Sequence, residues 1–228
     1  MTGLDGRMTS IVAIDGPSGS GKSTTAREVA RRLGYGYLDT GAMYRGVAVA
    51  CLRAGVARDD AVRIAEICRA VDLGVSTDPT DQTFRVDGVD ATAAIREPQV
   101  SAWVSAVATN AECRAELVRR QRALITDGPC VAEGRDITTV VAPDAAVRVL
   151  LVADPERRMA RRNAELGNAL DVDALRDQTL RRDRDDSALV NFTDAAEGVT
   201  VIDSTDMTIE EVVGRILDLA RGAGLTPA

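Results

Sequence analysis

Between Ser10 and Leu33 the chain passes from a short apolar run, through a glycine-rich turn, into an amphipathic stretch. This junction constrains the fold more than any other feature. Ser10-Ile-Val-Ala-Ile-Asp15 has the length and apolar character of a buried strand. Ala26, Val29, Ala30 and Leu33 recur at i, i+3, i+4 and i+7 with Gly34 as a stop, which predicts a helix over 24–33. Between them, Gly16-Pro17-Ser18-Gly19-Ser20-Gly21-Lys22-Ser23 fits G-x-x-x-x-G-K-[ST] in the strand-to-helix context that motif requires. Glycines let backbone N–H groups turn inward around phosphate oxygens, and the helix presents its positive end to the anion. Lys22 reaches the outer phosphates, and the Ser23 hydroxyl can ligate Mg²⁺. Gly16 through Ser23, with Thr24, are therefore the candidate triphosphate-binding residues.

Composition sharpens this reading. Of 28 basic residues, only Lys22 is lysine, and it stands where the loop demands one. The chain of 228 residues has no histidine, which rules out histidine triads, histidine-ligated zinc and imidazole proton shuttles. A net charge of −7 argues against broad attraction to nucleic acid. Cys51, Cys68, Cys113 and Cys130 are too scattered for a CxxC pair, and the first three sit in apolar helical patterns as reduced core residues. The N-terminus has no apolar signal segment and no run approaches a membrane span, so the expectation is a cytoplasmic protein. Residues 1–7, ahead of Met8, read as a flexible leader to a single domain over 8–228.

Further strands are expected at 35–39, 129–133, 147–153 and 199–203, and helices at 42–54, 60–71, 97–109, 111–126 and 209–222. Thr208-Ile-Glu-Glu211 has the form of a capping box for the last helix. Short strands at 74–76, 83–86 and 89–91 would build a small antiparallel insert over about 73–95. An arginine-rich helical stretch spans 155–186. Strands alternating with helices predict an α/β fold, a parallel five-stranded sheet covered on both faces.

A phosphate-binding loop does not reveal what receives the phosphate. GTPases need an Asn-Lys-x-Asp motif, which a chain with one lysine cannot contain, and ATP-driven motors are usually longer. A small kinase suits the length, the insert and the late arginines. The ordered motifs Ile14-Asp-Gly-Pro-Ser-Gly-Ser-Gly-Lys-Ser23, Leu38-Asp-Thr-Gly-Ala-Met-Tyr-Arg45, Glu133-Gly-Arg-Asp136, Arg181-Arg-Asp183 and Asp186-Ser187 resemble those of bacterial cytidylate kinases over essentially 10–222.

That resemblance implies a P-loop kinase core (8–72, 96–154 and 187–222), a nucleoside-monophosphate-binding insert and a lid over 155–186 that closes on ATP. It implies Mg-ATP as donor, CMP or dCMP as acceptor, and Lys22 with Arg135 as catalytic residues. Arg45 and Arg135 would clamp the acceptor phosphate, for which bidentate guanidinium contacts are well suited. Asp136 would accept from the cytosine N4 amine and Arg114 donate to O2 and N3, with Thr40 and Tyr44 beside them. Ser105, Arg182 and Asp186 correspond to sugar contacts. In the lid, Arg157, Arg158, Arg161 and Arg162 follow Asp154-Pro155; Arg158, Arg161 and Arg162 share one helical face and are candidates for the γ-phosphate. One departure stands out. Many members carry an arginine two or three residues after the Asp-Ser pair, where this chain has Ala188, Leu189 and Val190, then Asn191-Phe192.

Two rival readings remain at this level. One is a related kinase acting on UMP, AMP or a small alcohol, for which Asp39 is the obvious carboxylate base. The other is an ATP-binding regulatory module without turnover. The default oligomeric state is a monomer.

Overall fold

The computed structural model describes residues 10–165 and 195–228. Five strands form one parallel sheet: β1 (Ile11–Asp15), β2 (Gly36–Asp39), β6 (Cys130–Gly134), β7 (Val147–Val152) and β8 (Thr200–Asp203), in the order β2-β6-β1-β7-β8. All five residues of β1 are buried. Ile11 and Ala13 pack into the core beneath α2 (Thr40–Arg53), α3 (Ala61–Ala70), α4 (Pro98–Ala108) and α5 (Ala111–Ile125). Val12 and Ile14 pack on the opposite face against α1 (Lys22–Leu33) and α7 (Ile209–Gly222). This alternation on an unbroken apolar strand is what a sheet covered on both faces requires.

A second, antiparallel sheet joins β3 (Leu73–Val75), β4 (Phe84–Val86) and β5 (Val89–Asp90). Leu73 pairs with Val86 and Val75 with Phe84, so the insert expected around 73–95 is present within a residue of its expected strands. The helix α6 (Pro155–Glu165) follows β7, and the remainder of the expected lid lies outside the described residues. So do the leader 1–7, Arg182, Asp186 and 188–192. All four cysteines are buried free thiols.

Three local differences have physical causes. The helix expected from residue 24 begins at Lys22, because Gly21 takes a left-handed conformation (φ 89°) and turns the chain directly into α1. The helix expected from 42 begins at Thr40, because the Asp39 carboxylate caps it by accepting from the Ala42 N–H at 2.9 Å. Residues Ile137–Val141 form a π-helical turn that the sequence pattern does not announce. There the Ile137 and Thr138 N–H groups donate to the Asp15 carboxylate at 2.8 Å each, and Val141 N–H reaches back to the Asp136 carbonyl. The capping box at Thr208 and Glu211 is formed in both directions.

Candidate active site

Parallel strands deliver their carboxyl ends to one edge, and a crevice opens where successive connections leave in opposite directions. Here that place is beside β1, between β6 and β7. The register aligns Asp15 with Gly134 and Asp39 with Glu133, so the ends of β1, β2 and β6 meet at one level.

The loop 16–21 leaves β1 under tight steric limits. A Cβ on Gly16 would lie 2.1 Å from the Leu151 carbonyl oxygen, and one on Gly19 (φ 75°) 2.4 Å from that of Arg158. The loop thus lies directly on β7 and α6, as no other residue type would allow. Lys22 donates to the Pro17 carbonyl at 3.0 Å, drawing its ammonium back over the loop. Gly16, Pro17, Ser18, Gly19, Ser20 and Gly21 therefore form a continuous turn that runs directly into the first turn of α1 at Lys22, Ser23 and Thr24.

Behind the loop stands Glu133, 4% exposed. Its Oε1 accepts from Ser23 Oγ at 2.5 Å and from the Tyr37 hydroxyl at 3.2 Å. Burial pushes the Glu133 carboxyl up, reinforced by Asp39 and opposed by Lys22. Burial likewise pushes the Tyr37 phenol well above its ordinary value, so it remains a donor at neutral pH. Because Ser23 directs its O–H at Glu133, its lone pairs are left for a cation. Among the described residues no cluster of three or more His, Cys, Asp or Glu side chains could hold a metal alone. A hard hydroxyl oxygen beside a carboxylate fits Mg²⁺, which is ordinarily shared between one or two protein groups, water and phosphate.

The acceptor candidates collect beyond β2 and β6. Arg45 Nη2 donates to Asp39 at 2.7 Å, and both are about one-fifth exposed. Thr40 is buried and its hydroxyl donates to the Glu133 carbonyl at 2.8 Å, so toward a ligand it acts only as an acceptor. Arg114 Nη2 donates to Asp136 at 2.5 Å, and the Asp136 side chain is 6% exposed. Tyr44 lies next to this pair, its phenol pushed up by burial and by the Asp136 charge. Ser105 is half-buried on α4, and Arg135 lies between Gly134 and Asp136 on the loop after β6. A cavity of about 350 Å³ opens between α1, α2 and the insert, lined by Ser23, Arg27, Asp39, Arg45, Gln82 and Ser101 among others.

The lid arginines divide. Arg158 is buried and donates to the Ser18 carbonyl of the phosphate loop at 3.1 Å. Arg161 turns instead to the end of β8, donating to the Ser204 hydroxyl at 3.1 Å and carbonyl at 2.7 Å. Arg157 makes a long, exposed contact with Asp206 at 3.5 Å, and the Arg162 side chain lies outside the described residues. The sequence motifs and strands include Glu133, Asp15 and Tyr37 without giving them a role, and Arg27 carries no motif. Only the end-of-strand position of Glu133 and Asp15 signals them.

A parallel α/β sheet with this loop at the end of its central strand defines a P-loop nucleotide-binding protein. A family model described as cytidylate kinase matches residues 12–222, and the chain belongs to the cytidylate kinase family. It is 51% identical over 214 residues to a cytidylate kinase from Cutibacterium acnes, covering 92% of this chain and 95% of that one. It is 42% identical over 216 residues to one from Mycobacterium avium, covering 92% and 95%. The crystal structure of TT1252 from Thermus thermophilus shares the fold, with a TM-score of 0.51 and 21% identity over 95% of this chain and 97% of that one. Among the described residues no helix is long and apolar enough to cross a membrane.

Proposed function

We propose that this chain catalyses reversible in-line transfer of the ATP γ-phosphoryl group to CMP or dCMP, as a cytoplasmic monomer. The observation that carries the acceptor is the Arg114–Asp136 pair, standing at the same sheet edge as Lys22. Cytosine presents an amine donor beside two acceptors, so a carboxylate and a guanidinium held side by side match that edge. Uracil would set a carbonyl against Asp136, and two acceptors facing each other repel.

The acceptor oxygen belongs to a phosphate monoester with a second pKa of ~6, so it is mostly anionic at neutral pH and needs no strong base. Catalysis is then positioning and charge neutralisation. Lys22 and the loop N–H groups hold the donor phosphates. Arg45 and Arg135 hold the acceptor, with Asp39 fixing the Arg45 guanidinium. Arg158, already on the loop, is the first candidate for the donor phosphates, Arg161 would need lid movement to join, and Arg162 is assigned to the same phosphate. Mg²⁺ bound by Ser23 beside Glu133 would supply further neutralisation of the phosphate charge. Ser105, Arg182 and Asp186 are assigned to the sugar. Closure of the insert and of the lid 155–186 excludes water, the competing acceptor.

The test is ADP release at fixed Mg-ATP with CMP, dCMP, UMP and AMP. The cytosine nucleotides should exceed UMP in kcat/KM by about tenfold or more, and Asp136→Ala should collapse that ratio. Equal turnover of UMP or AMP would overturn the acceptor assignment. ADP release indifferent to any acceptor would point to an ATP-binding module.

A further inference from the structure

Glu133 receives two donors on one oxygen. Ser23 Oγ and the Tyr37 hydroxyl both point at Oε1, at 2.5 and 3.2 Å. Tyr37 comes from β2, an edge strand, and its side chain packs with the α1-side core at 6% exposure. The ring is held from above. Arg27, one turn beyond Ser23 on α1, lies over it with the guanidinium carbon 6.0 Å from the ring centroid. Arg27 is itself gripped by the insert. With the Gln82 amide oxygen turned toward α1, it accepts from Arg27 Nη1 at 2.8 Å and Nε at 2.5 Å. A chain of contacts thus runs from the insert through Arg27 and the phenol to the carboxylate behind the phosphate loop.

A phenol here has no part in phosphoryl transfer, and packing alone would be served by phenylalanine. What the hydroxyl adds is direction. A carboxylate accepting one bond can swing about its Cγ–Cδ axis; a second donor on the same oxygen fixes it. We propose that Tyr37 is a positioning residue for Mg²⁺ binding: by pinning Glu133 Oε1 it keeps the Ser23 O–H directed at the carboxylate and the Ser23 lone pairs toward the phosphate loop. The inference rests on the reading of Ser23 as a Mg²⁺ ligand given above. Arg27 and Gln82 extend it, holding the ring that carries the hydroxyl. Outer partners that orient a ligand typically change metal affinity by about 10–100-fold when removed. Since the phenol is neutral and shares its acceptor, the lower end applies.

The experiment is calorimetric titration of ATP into the full-length protein, once with EDTA and once with excess Mg²⁺. The metal-dependent gain in affinity is the readout, and turnover is not involved. Tyr37→Phe keeps the ring and the packing. It should leave the affinity in EDTA unchanged and reduce the Mg²⁺-dependent gain about tenfold. In a Glu133→Gln background the same substitution should add nothing, because its target is gone. A gain unchanged by Tyr37→Phe would overturn the proposal, as would an undiminished effect in the Glu133→Gln background. An equal loss in EDTA and Mg²⁺ would also overturn it, marking a packing role. If the wild-type protein shows no Mg²⁺-dependent gain, the Ser23 assignment falls first and the inference with it; the wild-type titration separates that failure from the others.

Discussion

Lys22 carries the only side-chain ammonium in the sequence, and it donates to the Pro17 carbonyl. That contact holds the ammonium over the loop. Its removal should cost transition-state stabilisation and little else, because the loop is shaped by Gly16 and Gly19 against β7 and α6. Lys22→Ala is expected to lower kcat by about 10²–10³-fold, the loss typical for one electrostatic stabiliser, with an unchanged circular dichroism spectrum and melting curve. Turnover within a few-fold of wild type would contradict the role given to the loop. At this scale the sequence was informative where residue type and position are bound together, as in the lone lysine, while Arg114 and Asp136 were singled out by the family resemblance and stand paired in the structure. It was silent on Tyr37 and Arg27, whose place depends on the packing of α1 against the edge strand. Nor does helical spacing separate Arg161 from Arg158, although the Arg161 guanidinium is bonded to Ser204 and that of Arg158 to the phosphate loop.

Helix α5 shows how one element serves both the site and the frame. Its N-terminal half brings Arg114 to Asp136. Further along, Glu116 accepts from Arg119 at 2.8 Å and from Arg120 at 2.6 Å, and Arg120 also donates to the Val71 carbonyl at 2.8 Å and that of Cys68 at 3.1 Å. The hydrogen bond from Arg119 is the main cause that brings the Glu116 carboxyl from 4.5 down to about 2; Arg120 adds to it against partial burial. A carboxyl depressed on folding stabilises the native state at pH above its unfolded value, and that stabilisation fades as pH falls through the folded value. Glu116→Gln should therefore be less stable than wild type by up to about 1 kcal/mol at pH 7, after allowance for solvent screening. Denaturant unfolding at several pH values should find the difference constant above about pH 5 and shrinking toward pH 2; a gap that widens on acidification would refute the assignment. Element existence was legible because apolar spacing is a backbone-level signal, and even the two- and three-residue strands of the insert were readable from their turn residues. The turn at Ile137–Val141 was not, since its amides are claimed by a carboxylate more than a hundred residues earlier.

Across the whole molecule, order is distributed unevenly. The parallel sheet sits between two apolar layers, with every residue of β1 and β6 buried. The insert rests on three short strands, and Val89 on its outer edge is 57% exposed. Native-state amide exchange should reflect this, with β1, β6 and β7 opening only by global unfolding and β3–β5 exchanging through smaller, more frequent openings. Adding CMP together with a non-hydrolysable ATP analogue should slow exchange in the insert far more than in the sheet. Equal protection of the two sheets in the free protein would contradict this division.

Asp15 links two loops across the sheet edge. Its carboxylate ends β1 just before the phosphate loop and accepts from Ile137 N, Thr138 N and Thr138 Oγ1, the last at 2.6 Å. Those donors follow directly on Arg135 and Asp136. The start of the phosphate loop and the turn after Asp136 are thus tied to a single buried group, so a displacement of one is expected to carry the other with it. Two mutually repelling anions can then be held at a fixed separation without either loop being rigid on its own. Redirecting such a kinase to another acceptor would therefore have to proceed through residues off the tether, such as Arg114 on α5 or the walls of the insert, because a change on it would detune both substrates at once.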